Sequence, residues 1–210
     1  MPERRHGEGL LTVRLFLVRH GQTHANVARQ LDTAVPGLDL TDEGRAQARA
    51  LADRLGGEDL GAIYTSDLVR TQQTAAPLAE LLGLDLVVLP GLREIQAGDY
   101  EMSTDWQPYI DAVVRWRHDP GHTIPGGDSG AAFMERYDEA IASIASDGHE
   151  SAVAVSHGAA MRVWCSASLG LEADFFDGRR LDNAHVVTME GDPRSGWRLL
   201  AWGDEPVTHG

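Results

Sequence analysis

Residues 13–23 read VRLFLVRHGQT and join an apolar run to a polar end. Residues 13–18 are apolar except for Arg14, which is typical of a strand covered on both faces in a parallel sheet. The run ends in Arg19-His20-Gly21. Because ligands of open α/β sheets bind beyond the carboxyl ends of the strands, this stretch predicts both a buried strand and the edge at which a site lies.

Strand-like and helix-like segments alternate along the rest of the chain. The predicted strands cover 13–18, 62–65, 84–89 and 151–156, with an antiparallel hairpin over 184–190 and 197–202, and the predicted helices cover 42–55, 67–82 and 158–169. Thr41 is the expected N-cap of the first helix and Ser66 that of the second, which contains Pro77. The alternation predicts an α/β fold with a mostly parallel sheet sandwiched between helices.

The alternating pattern breaks between residues 94 and 128. This stretch contains four aromatic residues, Tyr100, Trp106, Tyr109 and Trp116, and then a loop rich in proline and glycine over 120–127. We therefore expect a single domain over 1–210 with an inserted specificity region at about 95–130. The aromatic side chains either line a partly apolar pocket or form a small core of their own.

Composition excludes several kinds of chemistry. The 18 basic side chains are all arginine, so Schiff-base chemistry, pyridoxal phosphate, a P-loop and a protein-kinase site are excluded. A formal net charge of −14 argues against nucleic acid and anionic membranes as partners. It does not exclude a small anion, provided that arginines converge locally.

The sequence also bears on location in the cell. Cys165 is the one cysteine, which fits a reducing cytosol and excludes an internal disulfide. Arg4 and Arg5 precede an apolar stretch that faintly resembles a signal peptide, but Arg14 interrupts it and no small-residue cleavage site follows. No apolar run approaches the ~20 residues of a membrane span. We expect a cytoplasmic protein.

Polar side chains follow four of the predicted strands. They are Arg19, His20, Gln22, Thr23 and Asn26 after the first strand, Ser66 and Arg70 after the second, Arg93 and Glu94 after the third, and Ser156 and His157 after the fourth. Two histidines and a carboxylate could bind zinc, or they could transfer a phosphoryl group through a phosphohistidine. Arginines would repel a divalent cation but grip phosphate oxygens, so the pattern favours phosphate chemistry.

Four motifs, in this order, resemble the histidine phosphatase (phosphoglycerate mutase-like) superfamily. They are Leu17-Val18-Arg19-His20-Gly21-Gln22-Thr23 with Asn26, Ser66-Asp67-Leu68-x-Arg70-x-x-Gln73-Thr74-Ala75, Leu92-Arg93-Glu94-Ile95 with Gly98, and Val155-Ser156-His157-Gly158. Leu40-Thr41-x-x-Gly44 is similar to the first helix of that superfamily. The resemblance covers most of the chain and implies a three-layer fold and an enzyme that acts on a small phosphorylated substrate.

The resemblance also implies a role for each matching residue. His20 is the expected nucleophile, and Glu94 the expected general acid and base, a role that requires Glu94 to hold a proton. Arg19, Arg70 and His157 are expected to hold the transferring oxygens. The expected substrate-binding residues are Gly21, Gln22, Thr23, His24 and Asn26. The arginines supply the positive charge, so neither a metal ion nor another cofactor is expected.

The reaction itself has three alternatives. In cofactor-dependent mutases of the superfamily the acid is followed by Arg-His-Tyr-Gly, whereas Glu94 is followed by Ile-Gln-Ala-Gly. This difference favours a metal-independent phosphomonoesterase of the histidine acid phosphatase type over mutase-type transfer. The intact set of site residues argues against the third alternative, a non-catalytic module that binds phosphate esters. The C-terminal hairpin could supply an edge strand for a homodimer.

Overall fold

The computed structural model describes residues 12–172, 175 and 179–207. Arg4 and Arg5 lie outside these ranges. The described strands are β1 (Val13–Arg19), β2 (Ala62–Thr65), β3 (Leu86–Val88), β4 (Ser151–Ser156), β5 (Val186–Asp192), β6 (Gly196–Trp202) and β7 (Glu205–Pro206). The described helices are α1 (His24–Ala28), α2 (Asp42–Leu55), α3 (Val69–Leu82), α4 (Gln107–Arg115), α5 (Gly130–Ser146) and α6 (Gly158–Ser168), with short 3-10 turns at Pro90–Leu92 and Gly98–Tyr100.

The strands form one sheet in the order β3-β2-β4-β1-β5-β6-β7. The pairings among β3, β2, β4 and β1 are parallel, and those from β1 through β5 and β6 to β7 are antiparallel. This arrangement confirms the predicted α/β fold with a mostly parallel sheet. It places β1 and β4 side by side in the middle of the sheet, where both of their faces are covered.

Two apolar cores lie on opposite faces of the sheet, because successive side chains of a strand point to opposite faces. Phe16 and Val18 of β1 pack with residues of α2 and α3. Leu15 and Leu17 belong to a larger cluster with residues of α4, α5 and α6. Helices therefore cover both faces, as predicted. Cys165 of α6 lies fully buried in the larger cluster.

The predicted start of α2 is confirmed, since the Thr41 hydroxyl accepts a hydrogen bond from the backbone N–H of Gly44 at 3.0 Å. The prediction that Ser66 caps a helix from residue 67 is wrong. The helix begins at Val69, because the Ser66 hydroxyl contacts His157 instead. α3 then continues through Pro77 to Leu82.

Two predicted strands begin later than expected. The strand over 84–89 is shortened to Leu86–Val88, because the N–H of Leu84 bonds back to the carbonyl of Ala79 and closes the end of α3. The first hairpin strand begins at Val186 rather than at 184. The N–H of Ala184 instead bonds to the carbonyls of Arg19 and His20, which ties this segment to the end of β1.

The aromatic residues between 95 and 130 divide between the two predicted alternatives. Tyr109 and Trp116 are buried in the larger core, and the Trp116 ring stacks on Phe133 with centroids 6.0 Å apart. Trp106 is 37% exposed and donates its indole N–H to the carbonyl of Arg29 at 2.7 Å. In the sheet, the short β7 pairs with the end of β6 and forms the edge that lies farthest from β3.

None of the helices in the described ranges combines the length and the apolar character that a membrane crossing requires.

Gly44 sets the distance between α2 and the segment that follows β1. A Cβ atom built on Gly44 would overlap the backbone carbonyl of Gln22, which cannot move aside without moving the chain next to His20. We expect Gly44→Ala to lower the free energy of unfolding by about 2 kcal/mol, although alanine favours a helix over glycine by about 1 kcal/mol.

Urea denaturation measures this change, and Gly57→Ala is the matched control. A Cβ at Gly57 meets no atom within 4 Å, so this variant should be neutral or slightly more stable. Equal stability of the two variants would contradict the assigned role of Gly44.

Candidate active site

The two predicted catalytic histidines are neighbours because their strands are neighbours. β1 and β4 pair in parallel with Arg19 opposite Ser156, and the residues that follow are His20 and His157. The backbone N–H of His20 donates to the carbonyl of Ser156 at 3.0 Å, which extends the pairing by one residue. The two ring centroids lie 5.2 Å apart. Backbone register thus brings together side chains that are far apart in the sequence.

Hydrogen bonding fixes the tautomer of His20. Its Nδ1 donates to the carbonyl oxygen of Gly21 at 2.7 Å, so the proton resides on Nδ1 and Nε2 carries the lone pair. Burial lowers the pKa of His20 well below its ordinary value of 6.5, and the charges of Arg70 and Arg19 lower it further. A neutral imidazole with its lone pair on Nε2 is the form that a nucleophile requires.

Arg70 is a charged residue that lies buried in the interior, with only 2% of its surface exposed. Nη2 donates to the backbone carbonyl of Asp32 at 2.8 Å, and Nη1 lies 3.3 Å from the Asp32 carboxylate. The Nε atoms of Arg70 and Arg19 are buried with no acceptor among the described residues. Arg19 and Arg70 both line one cavity with His20, and guanidinium groups bind phosphate oxygens, so the pair indicates an anion-binding site.

His157 is bonded through both of its ring nitrogens. Arg70 Nη2 donates to Nδ1 at 3.1 Å, so Nε2 carries the proton and donates to the Ser66 hydroxyl at 2.8 Å. Burial lowers the pKa of His157 well below 6.5, with the charge of Arg70 as the next cause. Ser66, which the sequence assigned to helix capping, instead fixes the His157 ring.

Glu94 is held at the N-terminus of α6. Its Oε1 accepts from the backbone N–H groups of Ala160 at 2.7 Å and Ile95 at 2.9 Å, and its Oε2 accepts from Ala159 at 3.1 Å. The first N–H groups of a helix have no partner within the helix and attract anions. This arrangement fixes the carboxyl group at one point of the cavity wall.

Arg136 fixes the segment that carries Glu94, and sequence reasoning missed it. Its Nη1 donates to the carbonyls of Gly91 and Arg93 at 2.9 and 3.0 Å, and its Nη2 to that of Glu94 at 2.8 Å. Asp128 pairs with the same guanidinium at 2.9 Å. The available signal was the position of Arg136 on the otherwise buried apolar stripe of α5, which contains Phe133, Tyr137, Ile141 and Ile144.

A cavity of about 390 Å³ opens beside these groups. The predicted site residues that line it are Arg19, His20, Thr23, Asn26, Arg70 and Glu94. Gly21, Gln22, His24 and His157 are not among the lining residues. His157 is fully buried behind them, the Gln22 side chain accepts from the Thr41 hydroxyl at 2.9 Å, and His24 is exposed at the start of α1. Gly21 packs against α2, where a Cβ would lie 2.7 Å from the carbonyl oxygen of Gly44.

Thr23 and Asn26 cap α1 reciprocally. The Thr23 hydroxyl accepts from the N–H of Asn26 at 3.2 Å, and Asn26 Oδ1 accepts from the N–H of Thr23 at 3.1 Å. Asn183, which the sequence did not single out, donates to Asn26 Oδ1 and to the carbonyl of His20, both at 3.0 Å. The Asn26 amide nitrogen has no acceptor among the described residues, so it can donate to a ligand.

Across the residues that the structure describes, no three His, Cys, Asp or Glu side chains come together as a metal-binding group.

The sequence matches the family model of the histidine phosphatase superfamily (branch 1) over residues 15–205. The chain belongs to this superfamily. The match confirms the resemblance predicted from the four motifs. Members of the histidine phosphatase superfamily are phosphatases and mutases, so the chain is an enzyme of phosphoryl transfer on small phosphorylated substrates.

Two relatives match this chain over most of its length. The probable phosphoglycerate mutase GpmB of Photorhabdus laumondii is 32% identical and covers 94% of this chain and 94% of its own length. A PE-PGRS family protein of Mycobacterium tuberculosis is 36% identical over 90% of this chain, and the chain spans 36% of the length of that protein.

Solved structures of superfamily members share the mixed α/β fold. A mycobacterial glucosyl-3-phosphoglycerate phosphatase is 30% identical with a TM-score of 0.75, covering 91% of this chain and 99% of its own. The alpha-ribazole phosphatase from Shigella flexneri is 26% identical with a TM-score of 0.74, covering 94% of this chain and 100% of its own. Both proteins are phosphatases by name.

The electrostatics of His20 can be tested by an NMR titration. We expect the His20 imidazole signal, assigned by its loss in His20→Ala, to titrate with a midpoint below 6.5. Replacing either neighbouring cation, as in Arg70→Gln or Arg19→Gln, should move the midpoint upward, because a charge that opposes protonation is removed. Arg49→Gln, on the exposed face of α2, is the control that should leave the midpoint unchanged. A wild-type midpoint at or above 6.5 would contradict this assignment.

The role of Arg136 can be tested through stability. We expect Arg136→Gln to lower the free energy of unfolding by about 2–3 kcal/mol, because three backbone carbonyls and Asp128 lose their donor. Amide hydrogen exchange over residues 91–97 should also become faster. Arg115→Gln is the control, since its pair with Asp119 is exposed and should contribute less than about 0.5 kcal/mol. Equal effects in both variants would refute the assigned role.

Proposed function

We propose that the protein is a metal-independent phosphomonoesterase that acts through a phosphohistidine intermediate. The observation that carries the proposal is a neutral His20 imidazole beside two guanidinium groups, those of Arg19 and Arg70, that line the same cavity. A nucleophile thus stands beside donors suited to the phosphate dianion that it attacks.

In the first step, phosphate oxygens bind the guanidinium groups of Arg19 and Arg70. The lone pair of His20 Nε2 attacks phosphorus, and the Nε2–P bond forms as the bond from phosphorus to the leaving oxygen breaks. The arginines stabilise the charge on the transferring oxygens. The bond from Nδ1–H to the Gly21 carbonyl stabilises the positive charge that the ring acquires.

Glu94 moves the proton in both steps. The proposed cycle starts with Glu94 protonated. We assign the proton to Oε2, which accepts one backbone hydrogen bond where Oε1 accepts two, and this oxygen delivers it to the leaving group. The resulting carboxylate then takes a proton from water, whose oxygen attacks the phosphohistidine. The P–N bond breaks, and inorganic phosphate, neutral His20 and protonated Glu94 result.

Two features of the cavity favour hydrolysis over mutase-type transfer. Asp32, with a side chain that is 8% exposed, lines the cavity and pairs with Arg70, so it opposes a second anionic group beside the phosphate. The α4 wall consists of Tyr109, Ile110, Val113 and Val114. A phosphoglycerate carries a carboxylate as well as its phosphate, and an apolar wall does not compensate the desolvation of that charge.

Mutase-type transfer is the second candidate. It is favoured by the name of the GpmB relatives and by Arg162 and Arg180, which also line the cavity. Asp182 also lines the cavity, and its carboxylate lies 3.0 Å from the Arg180 guanidinium and offsets the charge of that arginine.

The decisive experiment is hydrolysis of p-nitrophenyl phosphate in the presence of EDTA. We expect turnover by the wild type, with radioactive phosphate trapped on the protein after rapid denaturation of a reaction with a labelled ester. We expect His20→Ala to lose at least about a thousandfold in kcat, since it lacks the nucleophile. His118→Ala, an exposed histidine away from the cavity, is the matched control.

The alternatives predict different outcomes. Absence of turnover together with binding of inorganic phosphate would favour the non-catalytic module, and loss of activity in EDTA would favour a metal site. Incubation with 3-phosphoglycerate, with and without the 2,3-bisphosphate, separates the two reactions: a phosphatase releases inorganic phosphate, and a mutase accumulates 2-phosphoglycerate.

A further inference from the structure

Helix α4 carries two apolar stripes on adjacent faces. Tyr109 and Ala112 are buried in the core. Ile110, Val113 and Val114 follow i, i+3 and i+4 spacing and line the catalytic cavity, which Tyr109 also borders. Ile110 is 41% exposed and Val114 is 54% exposed. An apolar stripe left open beside catalytic groups is typical of a surface that an apolar ligand covers.

One face of α6 forms a strip that leads away from Glu94. Ala159, Arg162 and Val163 line the catalytic cavity, and Arg162, Val163, Ser166 and Ala167 line a second cavity of about 640 Å³. These positions follow i, i+3, i+4, i+7 and i+8 spacing, so they share one helix face. At 1.5 Å per residue, the strip extends about 12 Å beyond Ala159, the residue whose N–H donates to Glu94.

The two cavities share part of their walls. Val113 and Val114 of α4 and Arg162 and Val163 of α6 line both of them. The distal cavity, defined here as the second one, is otherwise lined by the apolar side chains of Trp116, Pro120, Met134, Ala167 and Leu171, together with Gly130, Ser166 and the charged Arg117 and Glu172. Arg162, at the junction, directs Nη2 to the backbone carbonyl of Arg179 at 3.2 Å.

We propose that the distal cavity binds the far end of an apolar leaving group, so that the substrate is a phosphate monoester of a long, predominantly apolar alcohol. This inference rests on the proposed phosphomonoesterase function. With phosphate at His20 and the leaving oxygen at Glu94, the rest of the alcohol lies between the α4 stripe and the α6 strip. The four residues that line both cavities place the two side by side, which favours an occupant that is part of the same substrate.

A series of n-alkyl phosphates tests the proposal, with release of inorganic phosphate as the readout and concentrations kept below the critical micelle concentration. The acidity of the leaving alcohol is nearly constant from butyl to decyl phosphate, so differences in kcat/KM report binding of the chain. We expect kcat/KM to rise at least about tenfold from butyl to octyl phosphate. The rise should level off once the chain fills the distal cavity.

Two variants locate the effect. Ala167→Glu introduces a charge at an exposed position that lines only the distal cavity, and Val114→Ser removes an exposed apolar side chain from the shared wall. Both should reduce the octyl-to-butyl ratio of kcat/KM by about fivefold or more. Leu81→Ser is the matched control, because Leu81 is 58% exposed on α3 and lines neither cavity.

The outcomes separate the inference from the function on which it rests. Turnover of p-nitrophenyl and butyl phosphate with no dependence on chain length would overturn the distal site and leave the phosphatase proposal intact. An equal rise with chain length in wild type and Ala167→Glu would also overturn it. Absence of turnover with every ester would overturn the phosphatase proposal itself.

Discussion

A permanently charged guanidinium, that of Arg70, lies buried at the edge of the sheet, and the arrangement of the site depends on it. Burying an unpaired charge is costly, so the interior supplies acceptors: the carboxylate and carbonyl of Asp32 and the Nδ1 of His157. The bond to Nδ1 leaves the His157 proton on Nε2, which then needs Ser66 as its acceptor. The same charge disfavours protonation of His20. One buried cation thus determines the tautomer of one histidine and, together with burial, keeps the other neutral.

The site combines groups held by three different means. His20 and His157 are positioned by the register of β1 and β4, which tolerates no slip without turning side chains to the wrong face. Arg70 is positioned by its own hydrogen bonds. Glu94 lies on a segment without regular strand pairing, so its position depends on Arg136 and on the N-terminus of α6. The proton-carrying group is therefore the one whose location depends most on side-chain contacts.

Much of this could be predicted from the sequence, for identifiable reasons. Apolar runs and cap residues revealed β1, β4 and α2, because local pattern and tertiary burial agree there. The four motifs indicated the family. Ser66 was misassigned because a serine after a strand is a good helix cap unless a distant residue binds it, and His157 does so here. Arg136 and Asn183 were missed because their partners are mainly backbone carbonyls, which leave no trace in residue type.

Helix α6 links the catalytic carboxyl group to the core through its two ends. Its first turn donates to Glu94, and near its last turn Cys165, the one cysteine of the chain, is fully buried. Burial also raises the pKa of this thiol, so the reactive thiolate is scarce as well as inaccessible. A thiol reagent can then react only when the core around Cys165 opens. The rate of alkylation of the native protein therefore reports on opening of the core against which the helix that holds Glu94 packs, with no engineered label.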